Sequence, residues 1–238
     1  MDDLIKIENL RKVYIVGNEK VVALDRINLN IKKGEICCIL GTSGSGKSTL
    51  LNMIAGLEKP TSGNIQIGKF DIAKMDETHL AKFRQKNIGF VFQSYNLIAK
   101  STAEENVAMP LMFKGVSKKE RTKLAADMLK NVGLQDRIKH LPTQMSGGQQ
   151  QRVGIARAFV ANPKIVFADE PTGNLDSKTS KEIMELIVSL SRKYNQTVIM
   201  VTHDENISHY ADRVVHIIDG NVDSDIQNNL KSSKEEMK

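Results

Sequence analysis

Apolar and polar residues alternate along LIKIENLRKVYI (residues 4–15), the period of a strand with one buried face. VVALDRINLNI (21–31) predicts a second strand, and KKGE a turn after it. ICCIL (36–40) is apolar throughout, as in a parallel-sheet strand covered on both faces. From Gly46 the pattern turns helical through Ile54 and stops at Gly56, after which PTSGNIQIG predicts a turn and a short strand. IGFVFQ (88–93) is another apolar segment.

Residues 102–134 differ, with Leu124, Met128, Leu129 and Val132 at helical spacing and Gly133 near the end. GGQQQRVGIARAFVA predicts a helix with Pro163 just past it, and KIVFADEP a buried strand that ends in acids. SKTSKEIMELIVSLSRKY is an amphipathic helix, TVIMVTHD a buried strand ending in polar residues, and ADRVVHIIDGNV a hairpin. Strands alternating with helices predict a mostly parallel, three-layer α/β fold. One domain is expected over residues 1–226, with a mostly helical lobe at about 95–147 inserted into the α/β body and a polar tail over 227–238. There is no internal repeat.

The 238 residues are 40% hydrophobic, enough for a core without disulfide staples. The net charge of +6 raises the question of nucleic acid. The lysines are dispersed, aromatics are only 5% and Trp is absent, so a base-stacking surface is disfavoured and no nucleic-acid partner is expected. Cys37 and Cys38 are adjacent on a strand and point to opposite faces, so small buried residues are expected, as in a reducing compartment. The acidic start MDDLIKIENL lacks a signal-peptide core, and no stretch approaches about 20 consecutive apolar residues. Work at a membrane would need a partner.

The chemistry begins in GTSGSGKS. Gly41, Thr42, Ser43, Gly44, Ser45, Gly46, Lys47 and Ser48 fit G-x-x-x-x-G-K-[ST], after a predicted strand and at the start of a helix. Glycines let backbone N–H groups approach a phosphate, and the helix start favours an anion. Lys47 would reach the outer phosphates. The Ser48 hydroxyl would ligate Mg²⁺, with Thr49 nearby. Asp169 and Glu170 end an apolar strand, where ligands bind in open α/β sheets. Asp169 would hold Mg²⁺ directly or through water, and Glu170 would reach a water attacking the γ-phosphate. The alternative is a pair of acids capping the next helix.

These two motifs define a P-loop NTPase. Met145-Ser146-Gly147-Gly148-Gln149, in MSGGQQQRVGIARAFVANPKIVFADEPTGNLD, resembles the signature of ATP-binding-cassette (ABC) ATPases, with Met145 where Leu is usual. The resemblance spans nearly the whole chain. It implies a P-loop fold of ABC type: a mostly parallel core sheet, an antiparallel β subdomain and an inserted helical lobe. It implies ATP and Mg²⁺, and matches Tyr14 to the aromatic that packs on adenine; the alternative is a half-buried strand residue. Gln93 matches the glutamine that contacts Mg²⁺ and the attacking water. His203 matches the switch histidine on the γ-phosphate, and Asp176 the loop that crosses to a partner subunit. Ser146, Gly147 and Gly148 lead into a helix expected near Gln149, a second anion-binding helix start. The catalytic set is thus Glu170, His203, Lys47 and Gln93.

In the family two subunits pair head to tail, each signature closing on ATP held by the other. The resemblance therefore implies a second copy of this chain and an integral-membrane permease as partners, with a peripheral position on the cytoplasmic face of the membrane. Softer patterns, FQSYNLI, QQQRV and PTGNLDSKTS, resemble the ATPases of lipoprotein-release, macrolide-export and peptide-resistance transporters. Leu97, Ile98, Met109, Leu111, Met112 and Phe113 are expected to divide between lobe core and a groove for a permease helix. A regulatory ABC ATPase of the cell-division type and a soluble ABC protein of DNA repair or translation stay open as alternatives.

Overall fold

A computed structural model of the chain describes residues 3–228. In chain order its elements are β1 (Asp3–Val16), β2 (Glu19–Lys32), β3 (Ile36–Leu40), α1 (Lys47–Ile54), β4 (Ser62–Ile67), β5 (Phe70–Asp71), α2 (Glu77–Asn87) and β6 (Ile88–Phe92). Then come α3 (Ala103–Phe113), α4 (Lys118–Asn131), α5 (Gly147–Phe159), β7 (Ile165–Asp169), α6 (Ser177–Tyr194), β8 (Thr197–Thr202), α7 (Glu205–Ser208), β9 (Arg213–Ile218) and β10 (Asn221–Gln227). They form two compact units. One combines the residues up to Met75 with those from Thr197 onward; the other is Asp76–Gln196.

In the first unit β1 and β2 form an antiparallel hairpin, extended by β4 and β5 in the order β2-β1-β4-β5. Alternation buries Ile5, Ile7 and Leu10 from β1 and Ile27, Leu29 and Ile31 from β2. A second sheet in this unit places β3 between β8 and β9, all parallel, with β10 antiparallel to β9. The β9–β10 turn passes through Asp219 (φ 46°) and Gly220 (φ 74°), two left-handed residues that suit a tight hairpin. All five residues of β3 are buried, as the unbroken apolar run requires. Cys37 and Cys38 are free thiols, and burial pushes the Cys38 thiol up to about 12 and Cys37 further. Leu50, Leu51, Met53 and Ile54 of α1 are almost wholly buried, each contributing roughly 1.5–3 kcal/mol.

In the second unit β6 and β7 pair in parallel from Ile88↔Ile165 to Phe92↔Asp169. The segment 102–134 is two helices, α3 and α4, parted near Gly115 (φ 77°) and restarted by the Ser117 cap. Helix α2 has no counterpart in the hydrophobic pattern, since only Leu80, Phe83 and Asn87 of it are buried. Its start is fixed by Asp76, whose carboxylate accepts the His79 N–H at 2.8 Å. The core gathers Val107, Leu129, Val153, Phe159, Phe167 and Ile187. Gln151 of α5 is fully buried, and its amide donates to the carbonyls of Phe92 and Pro171. One side chain thus ties the end of β6 to the residues just past β7. Of the polar tail expected over 227–238, Gln227 closes β10, Asn228 follows, and the remainder lies outside the described residues.

Candidate active site

Each unit presents sequence-predicted residues at the C-terminal ends of its parallel strands. In the first unit the register Leu40↔Thr202 sets Gly41 and His203 beside each other along the same sheet edge. The loop from Gly41 bends into α1 at Gly46, whose φ of 102° excludes ordinary side chains. A Cβ there would also lie 2.5 Å from the Ala23 carbonyl oxygen. At Gly41 a Cβ would meet the Ile217 carbonyl at 2.3 Å and Ser45 Oγ at 2.7 Å. The loop therefore keeps its backbone open while its own neighbours close in.

Lys47 is buried and folds back, its Nζ donating to the Thr42 carbonyl at 2.7 Å. Thr42, Ser43, Gly44 and Ser48 are exposed, and Thr49 is half-buried on α1. Ser45 Oγ is buried without a hydrogen-bond partner. An orphaned hydroxyl in a glycine cradle, beside a lysine and a helix start, fits a phosphate group. Tyr14 on β1 is half-buried. Its hydroxyl donates to Glu58 at 2.8 Å, it is hydrogen-bonded with Thr49, and the Lys12 ammonium stands 5.0 Å from its ring centroid. His203 is exposed just past β8.

In the second unit the register Phe92↔Asp169 brings Gln93 and Glu170 to neighbouring strand ends. Glu170 has φ 43°, a left-handed conformation uncommon for glutamate. The Gly173 N–H donates to its carbonyl at 3.1 Å, closing a turn that carries the side chain off the strand. Neither acid caps the next helix: Asp176 does, accepting from the Thr179 amide at 3.0 Å and hydroxyl at 2.6 Å. Those bonds, the hydroxyl first, hold the Asp176 carboxyl below its ordinary range. Gln93 is fastened to Asn174, whose amide donates to the Gln93 carbonyl at 3.0 Å. Asn174 escaped the sequence reading, as did Gln151; within QQQRV only its position on the buried face of a helix would have singled it out.

The serine-glycine segment differs from expectation in one respect. Helix α5 starts at Gly147, the first residue of the GGQQQRVGIARAFVA run, with Ser146 as its cap. The Gln149 N–H donates to Ser146 Oγ at 3.3 Å, and the Gln149 side chain accepts the Ser146 N–H at 3.0 Å. The Gln149 side chain, expected to contact nucleotide, is therefore engaged in the helix's own capping box. Gly147 and Gly148 permit close packing: a Cβ would lie 2.8 Å from the Tyr95 hydroxyl at one and 2.7 Å from the Thr179 methyl at the other. Ser146, Asn174, Asp176 and Thr179 line one concavity of about 370 Å³.

A second cavity of this unit, about 500 Å³, is apolar and bounded by Ile88, Phe90, Phe92, Met109, Phe113 and Arg157. Phe90 stacks on Phe92 and on Phe167, each at 5.4 Å between centroids. Of the six apolar residues expected to divide between core and groove, Leu111 is core and Met109 and Phe113 line the groove. Leu97 and Ile98 lie outside its lining. The Ile98 backbone is tied instead to the Asn106 side chain.

Of the residues expected at Mg²⁺, Ser48 in the first unit and Gln93 and Asp169 in the second each carry a hard oxygen donor. Among the described residues no cluster of three or more His, Cys, Asp or Glu could form a protein cage. A few oxygen ligands shared with substrate phosphates is the arrangement that suits this ion, and the donor types of these residues fit it.

A phosphate loop opening a helix, a strand-end acid pair and a capped serine-glycine helix start define a P-loop nucleotide-binding cassette. The model of the ABC transporter family matches residues 24–173, and the chain belongs to that family. It is 49% identical over 224 residues to an uncharacterized ABC transporter ATP-binding protein, MJ0796, of Methanocaldococcus jannaschii, covering 92% of this chain and 95% of that protein. It is 44% identical over 225 residues to the lipoprotein-releasing system ATP-binding protein LolD of Geobacter metallireducens, covering 94% and 100%. A macrolide export ATP-binding/permease protein, MacB, of Vibrio parahaemolyticus is also 44% identical; 95% of this chain matches 35% of that protein. A dimeric post-hydrolysis structure of the MJ0796 cassette bound to ADP and Pi superimposes with a TM-score of 0.87 at 46% identity, covering 94% of this chain and 98% of that one. Among the described residues no helix is long and apolar enough to cross a membrane.

Proposed function

We propose that this chain is the ATP-hydrolysing subunit of a transporter of the lipoprotein-release and macrolide-export kind, energising a separate permease as a head-to-tail pair. The observation that carries the reading is the set of strand-end residues: Gly41 beside His203 in one unit and Gln93 beside Glu170 in the other. The near full-length likeness to LolD supports the subgroup, and the dimeric state of the MJ0796 cassette supports pairing. MacB-type relatives carry cassette and permease in one protein, which supports a permease as partner. The chain then works as one cassette over residues 1–226, its helical lobe at 95–147, held by the permease at the cytoplasmic face of the membrane.

The reaction is ATP + H₂O → ADP + phosphate. Tyr14 packs on adenine, and the amides of residues 41–49 bind the phosphates. Lys47 leaves the Thr42 carbonyl to reach the outer phosphates as a point charge. Ser48, Gln93 and Asp169 would hold Mg²⁺, which when bound neutralises charge on the phosphates. Glu170 accepts the proton of the attacking water, and His203 holds the γ-phosphate. Ser146 with the amides of Gly147 and Gly148 completes the site of the opposite chain. Positioning and charge neutralisation are the protein's whole contribution to such a transfer. Loss of the γ-phosphate removes the contacts that hold the pair closed.

The test is the dependence of rate on protein concentration at saturating Mg-ATP. ATP turnover per chain should rise with concentration and then level off. A turnover per chain that stays constant over the range in which the chain is monomeric would overturn the shared site.

A further inference from the structure

Gln151 is fully buried on α5, and no step of the reaction proposed above uses it. Its amide donates to two backbone carbonyls, that of Phe92 at 3.3 Å and that of Pro171. Phe92 immediately precedes Gln93, and Pro171 immediately follows Glu170. The parallel ladder of β6 and β7 ends at Phe92↔Asp169, so past that pair it no longer fixes the distance between the two strand ends. The Gln151 amide bridges them there. Among the described residues nothing donates to its buried Oε1. An orphaned buried oxygen is a cost, and the neighbouring buried positions of α5, Val153, Ile155 and Ala158, are apolar. The two donated bonds are therefore what this side chain adds over a hydrocarbon of its size. Turning the amide over would set its oxygen against both carbonyls, so its orientation is fixed as well.

Both carbonyls belong to tight turns. The Phe92 carbonyl also accepts the Tyr95 N–H at 3.2 Å, closing the turn that carries Gln93. Glu170, at φ 43°, heads the turn closed by the Gly173 N–H. A non-glycine residue in the left-handed region persists only where its surroundings over-determine it, and the Gln151 bond to the next carbonyl does part of that. We infer that Gln151 is a positioning residue for ATP hydrolysis, which fixes the spacing of the two turns and so where the Gln93 and Glu170 side chains meet the attacking water. The inference rests on the ATPase reading and deepens it by adding a residue that touches neither nucleotide nor water. Tyr14 and residues 41–49, proposed to hold ATP, belong to the other unit. Loss of the bridge should therefore slow the chemical step and leave nucleotide binding alone.

The test compares Gln151→Met, which keeps the shape and removes both donors, with Gln151→Glu, which is neutral when buried and keeps one. Each is also combined with Gly154→Ala, a helix-interior change that offsets lost stability. A Cβ at Gly154 makes only ordinary contacts, the nearest with Gln151 Oε1 at 3.5 Å. kcat and KM for ATP are read at a protein concentration where turnover per chain has levelled off. Gln151→Met should lower kcat about ten- to a hundredfold, the order for slightly misplaced reacting groups, with KM within about twofold. Gln151→Glu should fall between it and the natural chain. Gly154→Ala should raise the Tm of Gln151→Met without restoring its kcat. Gln151→Met added to Glu170→Gln should still pair with Mg-ATP as Glu170→Gln alone does. An unchanged kcat, a loss expressed in KM or in pairing, or a kcat that recovers together with Tm would overturn the assignment. Failure of every variant to fold would leave Gln151 a structural role alone and overturn it too. A natural chain without ATP turnover would instead remove the ATPase reading, so the two fail separately.

Discussion

The Tyr14 hydroxyl donates to one oxygen of the Glu58 carboxylate at 2.8 Å, while Lys12 holds the other at 2.8 Å. Burial opposes ionisation of Glu58, but the bonds from Lys12 and Tyr14 outweigh it and hold its pKa below the ordinary range. The ring proposed to meet adenine is thus oriented by a charged pair from outside the phosphate loop. Glu58→Ala is expected to free the ring and raise KM for ATP about fivefold, the equivalent of one hydrogen bond of about 1 kcal/mol. kcat should stay within about twofold, since the ring is far from the bond that breaks. Steady-state kinetics on Glu58→Ala and Tyr14→Phe check this; a fall in kcat at unchanged KM would contradict it.

Gly46 combines a φ of 102° with a Cβ position 2.5 Å from the Ala23 carbonyl. Gly46→Ala should cost about 2–3 kcal/mol of stability through strain and overlap. For a chain of this size that is roughly 4–12 °C in Tm by calorimetry. Nucleotide binding should be lost along with it, because the backbone that opens α1 has to move.

The sequence made the alternating and unbroken apolar runs legible because one or both faces of each strand are buried, and the phosphate loop because its spacing is fixed by backbone geometry. It did not show α2. That helix exposes most of its surface and buries only Leu80, Phe83 and Asn87, too few to set up a period. It showed α5 as a helix from its two glycines onward but not what fixes the start, since the capping box between Ser146 and Gln149 depends on side-chain geometry. Gln151 and Asn174 act through side-chain hydrogen bonds to backbone at and just past the strand ends, and pairings between distant residues leave no local pattern.

Ser146 has two proposed tasks, capping α5 and serving the opposite chain's nucleotide, and substitutions separate them. Ser146→Ala should lower stability by about 1 kcal/mol, the usual loss of a cap. It should also lower ATP turnover by about a hundredfold, the order seen when a preorganised donor to developing charge is removed. Ser146→Asp keeps an acceptor at the cap and should restore stability while turnover stays low, since its charge opposes the phosphate. Thermal denaturation and turnover measured together decide the matter. Recovery of both in Ser146→Asp would leave the serine with a capping role alone.

The central claim is that nucleotide is held between two copies of this chain and that Glu170 ends that state by promoting hydrolysis. The most direct test is the solution mass of Glu170→Gln, by light scattering behind a sizing column, with and without Mg-ATP. The expected result is twice the chain mass of 26.5 kDa with Mg-ATP and the single mass without nucleotide or with ADP. A variant that binds Mg-ATP to saturation yet keeps the single mass, alone and with its membrane partner, would contradict it.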